Sequence, residues 1–239
     1  MKVVMGMATM NSRKEVFAKT LKSLEGQYDA IFIYNNDEHS VNYTDNAKFL
    51  GLTKFESNDE PFYYFCVDDD IIYPKTYVKD MIKAIEKYNC IVTHHGRKLI
   101  GKDRHYYRGH EVHHCLREVK KNVEIDVAGT GVCAFRTDYF NPSSMNLLEH
   151  FKMSDVIFSL EAAVQGKKIM CLKHKEGYLQ DAGVDIEDTI QHEFLNKCLT
   201  QAELCNQICI IKEIETPVNW RPSRTRRGFV VKFNVQDEL

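Results

Sequence analysis

The sequence has no CxxC pair, no run approaching the roughly 20 apolar residues that a membrane span requires, and no surplus of one charge. Without CxxC pairs, its 8 cysteines do not read as a zinc knuckle or a disulfide framework; several sit in apolar runs such as Phe65-Cys66-Val67 and Met170-Cys171-Leu172, as reduced core thiols do. Without a long apolar run no transmembrane segment is expected, and the apolar N-terminal stretch is too short for a signal peptide, so the expected location is cytoplasmic. The 32 basic and 34 acidic side chains leave a formal net charge of -2, hence no global field for nucleic acid or a membrane surface. Any anion site must be local. What is present is a chain of 239 residues, 44% hydrophobic and 11% aromatic, long enough for one sizeable core and too apolar to stay disordered.

Strand-like and helix-like segments alternate over residues 1–93, the pattern of an α/β fold. Lys2 to Ala8 reads as a first strand. Ser12 to Glu15 has capping-box spacing, and Phe17, Leu21 and Leu24 then recur on one helical face until Gly26. Ala30 to Tyr34 is a short apolar strand, Asp45 to Leu50 a weak helix, and Leu52 to Phe55 a possible strand. Phe62 to Val67 runs straight into Asp68-Asp69-Asp70. Tyr77, Met81, Ile85 and Tyr88 keep helical spacing, and Cys90 to Thr93 returns as a strand. From His94 to Asn122 the periodicity disappears, and a loop of that length inside a domain is usually functional. Glu124 to Val127, Val132 to Phe135 and Lys168 to Leu172 read as strands, and Ser154 to Gln165 as a helix. The pattern changes near residue 185, so a domain over 1–185 is expected, followed by a mostly helical extension over 186–239 with a basic tail at Arg221, Arg224, Arg226 and Arg227.

Three consecutive carboxylates after an apolar strand repel one another unless a cation sits among them. A hard divalent ion, Mn2+ or Mg2+, takes such oxygens and keeps positions open for phosphate. In an extended segment Asp68 and Asp70 point to one side and Asp69 to the other. A solvated acidic turn ahead of the next helix is the plainer alternative.

Phe65-Cys66-Val67-Asp68-Asp69-Asp70 resembles the DXD motif of GT-A glycosyltransferases, especially the family 2-like enzymes, and other segments agree in order. Met5-Gly6-Met7-Ala8-Thr9 resembles their nucleotide-binding turn, and Tyr34-Asn35-Asn36-Asp37 their second strand end. Gly129-Thr130-Gly131 resembles the segment under the transferred sugar, and Ser154-Asp155 the acidic helix start that carries the base. The resemblance covers about residues 1–175 and implies a GT-A fold with a mixed, mainly parallel sheet, and metal-dependent transfer of a sugar from a nucleotide diphosphate donor, UDP-sugar favoured. The acceptor would be a glycan, a lipid-linked saccharide or a protein. It further implies Asp70, Asp68 and His174 around Mn2+ or Mg2+; Ala8, Thr9, Arg13, Asp37, Asp68, Asp69 and Gly131 around the donor; and Asp155 as general base, with direct attack and inversion. The family often has Glu-Asp where this chain has Ser154-Asp155.

The histidines at 94, 95, 105, 110, 113 and 114 could bind zinc with Cys115, but their spacing fits no familiar ligand pattern, and they read better as lining an acceptor groove. A sugar-phosphate nucleotidyltransferase would show a Gly-rich, Arg-containing signature after the first strand, where this chain has Met7-Ala8-Thr9-Met10-Asn11. A phosphatase with an aspartyl nucleophile would carry its acidic motif on the first strand. A catalytically silent sugar-binding module on the same fold is the alternative from a different class.

Overall fold

The computed structural model describes residues 1–55, 60–100, 106, 110–142, 152–183 and 199–213. The terminal arginines and the first part of the expected helical extension lie outside them.

The central sheet has seven strands in the order β2 (Ala30–Asn35), β1 (Val3–Thr9), β3 (Tyr63–Val67), β10 (Val132–Arg136), β5 (Ile91–Thr93), β11 (Ile169–Cys171) and β8 (Val123–Ile125). β2, β1, β3, β5 and β11 run one way; β10 and β8 run against them. The fold is thus α/β with a mainly parallel sheet, and such a sheet is buried on both faces. β3 shows why. Its Tyr63, Phe65 and Val67 enter one core, while Tyr64 and Cys66 enter the other.

The first core is closed by α1 (Lys14–Leu24) and α3 (Tyr77–Tyr88), which contribute Leu24, Tyr77, Val78, Met81 and Ile85. The second is closed by a 3₁₀ segment, Thr44–Phe49, that runs into α2 (Leu50–Phe55), and by α4 (Ser154–Val164). A second sheet of three strands, β7 (His110–His113), β6 (Gly96–Leu99) and β9 (Val127–Ala128), lies beyond β5 in the chain, and β4 (Ile71–Ile72) pairs with β12 (Gln180–Asp181). α5 (Leu199–Glu213) buries Leu204, Cys205 and Ile208 with Val156 and Ile157 of α4. Lys212 at its end donates to the Ile125 carbonyl at 2.9 Å and to Asp126 at 3.0 Å.

Several expectations are corrected. Leu52 to Phe55 is helical instead of extended, because Phe49 and Leu52, three apart, enter the core from one helical face. The segment from Glu124 to Val127 is two strands in two sheets. Asp126 breaks it, its carboxylate accepting from the Leu99 amide at 2.9 Å and from Lys98 at 3.2 Å. The stretch after His94 contains a β6–β7 hairpin. Ser12 forms no capping box. The chain enters α1 through a 3₁₀ turn, Asn11–Arg13, held by the Asp37 carboxylate on the Asn11 amide at 2.7 Å.

Among the described residues no helix is long and apolar enough to cross a membrane.

Candidate active site

From β1 the chain passes through α1 towards one edge of the sheet, to β2; from β3 it passes through α3 towards the other edge, to β5, both helices packing on the same face. The carboxyl ends of β1 and β3 therefore flank the point where the winding reverses, the usual ligand crevice of an open α/β sheet. A cleft of about 1060 Å³ opens there, walled by Ala8, Thr9 and Arg13 on one side and by Gly131, Ser154 and Asp155 on the other.

The aspartate run is fixed through its backbone. The Asp68 amide donates to the Gly131 carbonyl at 3.1 Å and meets the Tyr73 hydroxyl at 2.9 Å. Thr20 donates to the Asp69 carbonyl at 2.9 Å, and the Ala182 amide to the Asp70 carbonyl at 2.9 Å. Asp69 and Asp70 form a turn, so the alternation expected of an extended segment stops there.

The three side chains consequently differ. Asp69 is buried with both oxygens engaged: it accepts from the Thr9 hydroxyl at 2.7 Å and from the Arg13 guanidinium at 2.7 Å. Asp68 accepts from Lys48 and keeps 42% of its side chain exposed. Asp70 has one long contact, to Arg13 at 3.4 Å. Burial, then repulsion from Asp68 and Asp69, pushes the Asp70 carboxyl up to about 7. Asp68 and Asp70 are the carboxylates with oxygens to spare.

Lys48, 2% exposed, was not signalled by the sequence. Burial alone would lower its ammonium, but Asp68 first and Asp45 second outweigh that and hold it above its ordinary value. Two glycines admit this arrangement. A side chain on Gly6 would collide with the Lys48 carbonyl and the Tyr64 hydroxyl, and one on Gly131 would occupy the Asp68 carboxylate.

On the far wall, Asp155 lies in the first turn of α4. It accepts from the Thr130 amide and hydroxyl, both at 2.8 Å, and from the Tyr106 hydroxyl at 2.7 Å. Burial would raise its pKa; those bonds and the Arg97 charge outweigh it and hold the carboxyl below its ordinary value.

Summed over the cleft, Asp45, Asp68, Asp69, Asp70 and Asp155 face Arg13, Lys48 and Arg97. Glu118 and Asp181 nearer the rim are balanced by Arg117 and Lys152. With every carboxylate ionised, two negative charges are in excess; burial, which raises the pKa of Asp70 and Asp45, reduces that excess near neutrality.

Ala8, Thr9, Arg13, Asp68, Asp69, Asp70, Gly131 and Asp155 thus share one cleft. Arg13, expected around the donor, is engaged by Asp69 and Asp70. Asp37 is exposed and outside the cleft wall, where it closes the β1–α1 turn. His174, expected to ligate a metal with Asp70, does not line the cleft. A bridge to Val119 draws its segment behind the wall, and its Nδ1 lies 2.9 Å from the Leu172 carbonyl and 3.2 Å from His94 Nδ1.

The ligand atoms of His95, His114 and Cys115 lie within 4.8 Å of one another. Amide donors already meet the Nδ1 atoms of both histidines, from Cys115 at 3.3 Å and from Leu116 at 3.2 Å. Arg97 Nη1 stands 3.4 Å from His95 Nε2. Both ring nitrogens of His95 are thus engaged, so a metal bound there would have to displace one of these contacts beside the Arg97 cation.

No protein-family model matches the chain, and no curated protein matches it significantly. Its geometry carries the functional reading.

Proposed function

We propose that the chain is a GT-A-type glycosyltransferase that binds a nucleotide diphosphate sugar, UDP-sugar favoured, at the β1–β3 crevice with Mn2+ or Mg2+ and passes the sugar to a hydroxyl acceptor. The observation that carries this is the surplus of carboxylates over cationic side chains in a cleft whose spare carboxylate oxygens belong to Asp68 and Asp70. Hard oxygen donors of this kind suit a divalent ion, and the proton that Asp70 holds up to about 7 marks where positive charge is wanted. His174 takes no part in this set. When bound, the ion would offset the charge that develops on the leaving diphosphate.

The chain's own residues do the rest. Lys48 and Tyr73 hold Asp68 in place, and Arg13 with Thr9 fixes Asp69 beneath the crevice. Gly131 leaves room for the Asp68 carboxylate itself. Asp155 takes the acceptor's proton through Oδ2, which has one partner where Oδ1 has two, either beside the Tyr106 hydroxyl or in its place. Direct displacement with inversion would place the acceptor hydroxyl, facing Asp155, and the leaving diphosphate on opposite faces of the anomeric carbon.

The test is a panel of nucleotide sugars with Mn2+ or EDTA. Metal-dependent release of nucleoside diphosphate supports the transferase; release of nucleoside monophosphate, or no release with any donor, counts against it. Asp155→Asn should keep nucleotide binding while turnover falls roughly 100-fold or more. Unchanged turnover in that variant would remove Asp155 as the base.

A further inference from the structure

Beyond Asp155 the cleft changes sign. Arg97, on β6, is 8% exposed and lines it. Its guanidinium lies 3.8 Å from the centre of the Tyr106 ring, and among the described residues no carboxylate pairs with it. Its one polar contact is to His95 Nε2 at 3.4 Å, and its buried Nε has no hydrogen-bond partner. His113, 9% exposed, also lines the cleft; its buried Nε2 makes no hydrogen bond and has the exposed Glu111 carboxylate 3.8 Å away. His114 and Arg117 complete the patch, with the exposed Glu118 next to Arg117 at the rim.

A buried guanidinium with no carboxylate in contact is costly, because the charge loses water and gains a ring face, a long contact and only the more distant field of Asp155. The metal cannot supply what is missing, since it carries the same sign. The mutual repulsion agrees: burial first, then Arg117 and Arg97, lowers the His114 pKa, and burial followed by Arg97 takes His95 down to about 3. These rings are neutral donors or acceptors near neutrality, and the two arginines carry the charge.

Resting on the transferase reading, we propose that the acceptor is acidic: a saccharide bearing a carboxylate or a phosphate, whose anionic group seats on Arg97 with His113 while its hydroxyl faces Asp155. The Tyr106 ring fixes the spacing. It packs under the Arg97 guanidinium and hydrogen-bonds Asp155 through its hydroxyl at 2.7 Å, so the anion site and the base lie one tyrosine side chain apart. The acidic group therefore belongs to the sugar that is glycosylated, or to its immediate neighbour. An Arg presents two or more donors in the plane that matches either anion.

Binding of methyl glucuronide, glucose 6-phosphate and neutral methyl glucoside is measured by ligand-observed NMR and calorimetry on wild type, Arg97→Gln, Arg97→Lys and Asp70→Asn. At least one acidic sugar should bind at least about tenfold tighter than methyl glucoside, and which one does so assigns carboxylate or phosphate. Arg97→Gln should abolish the preference, with Arg97→Lys and Asp70→Asn retaining it; thermal unfolding confirms that each variant is folded. No preference in wild type, or a preference that survives Arg97→Gln, overturns the proposal. UDP titrated with Mn2+ into the same proteins separates the two readings. Intact UDP binding without acid preference defeats the acidic acceptor alone, and acid preference without Mn2+-dependent UDP binding defeats the transferase alone.

Discussion

Asp70 offers a direct physical test, because its proton and the expected metal compete for the same oxygens. In the folded chain the carboxyl titrates near 7, whereas an ordinary aspartate titrates near 3.8. Between those values the folded state holds a proton that the unfolded state has released, so the stability contributed by Asp70 is full at low pH and falls as pH rises through the window. The difference of about 3 pH units corresponds to about 4 kcal/mol, or roughly 10 °C in Tm for a chain of this size. His94 and His95, both held down near 3 chiefly by burial, act in the opposite direction, so the raw pH profile mixes the effects. Subtracting Asp70→Asn from wild type removes the shared groups. With EDTA present, the stability of wild type relative to Asp70→Asn should fall by about 4 kcal/mol from pH 4 to pH 8, measured by urea unfolding. Mn2+ should restore wild type at pH 8 and leave the variant unmoved, with its affinity rising about tenfold per pH unit below 7 and levelling above. A difference that stays flat across the window would refute the reasoning, since Asp70 would then be an ordinary solvated carboxylate.

Lys48→Met leaves Asp68 and Asp45 without their shared cation and should destabilise the metal-free protein by about 3–5 kcal/mol while tightening Mn2+ binding; unfolding and metal titrations read both. Gly131→Ala forces a methyl group into the Asp68 carboxylate and should weaken Mn2+-dependent nucleotide binding at least about tenfold, read by calorimetry. Ile208→Ala empties a fully buried position between α5 and α4 and should cost about 2–5 kcal/mol in urea unfolding.

The parts of the fold and site that were legible in the sequence are those written locally. Val3–Thr9, Tyr63–Val67 and Tyr77–Tyr88 carry their own periodicity, and the aspartate run announces itself as adjacent like charges after an apolar strand. What decides the role of each aspartate comes from far along the chain. Lys48 reaches Asp68 across 20 residues, Arg13 reaches Asp69 across 56, and Asp155 is held by Thr130 across 25. A lysine between Ala47 and Phe49 gives no sign that it is buried, and Arg97 lies in a stretch without periodicity. His174 follows an apolar strand as expected, yet it does not line the cleft: its backbone bridges Val119 and its ring meets His94 and the Leu172 and His114 carbonyls, and no local pattern encodes those partners. Asp126 is similar, since three donors from β6 and α5 break what reads as one strand.

The central claim is that Asp68 and Asp70 hold a divalent cation that in turn holds a nucleoside diphosphate. Calorimetric titration of UDP at pH 8 tests it most directly, in Mn2+ and again in EDTA, on wild type and Asp70→Asn. The account predicts binding to wild type only with Mn2+, and at least about tenfold weaker binding to Asp70→Asn. Equal UDP affinity in EDTA, or undiminished affinity in Asp70→Asn, would contradict it.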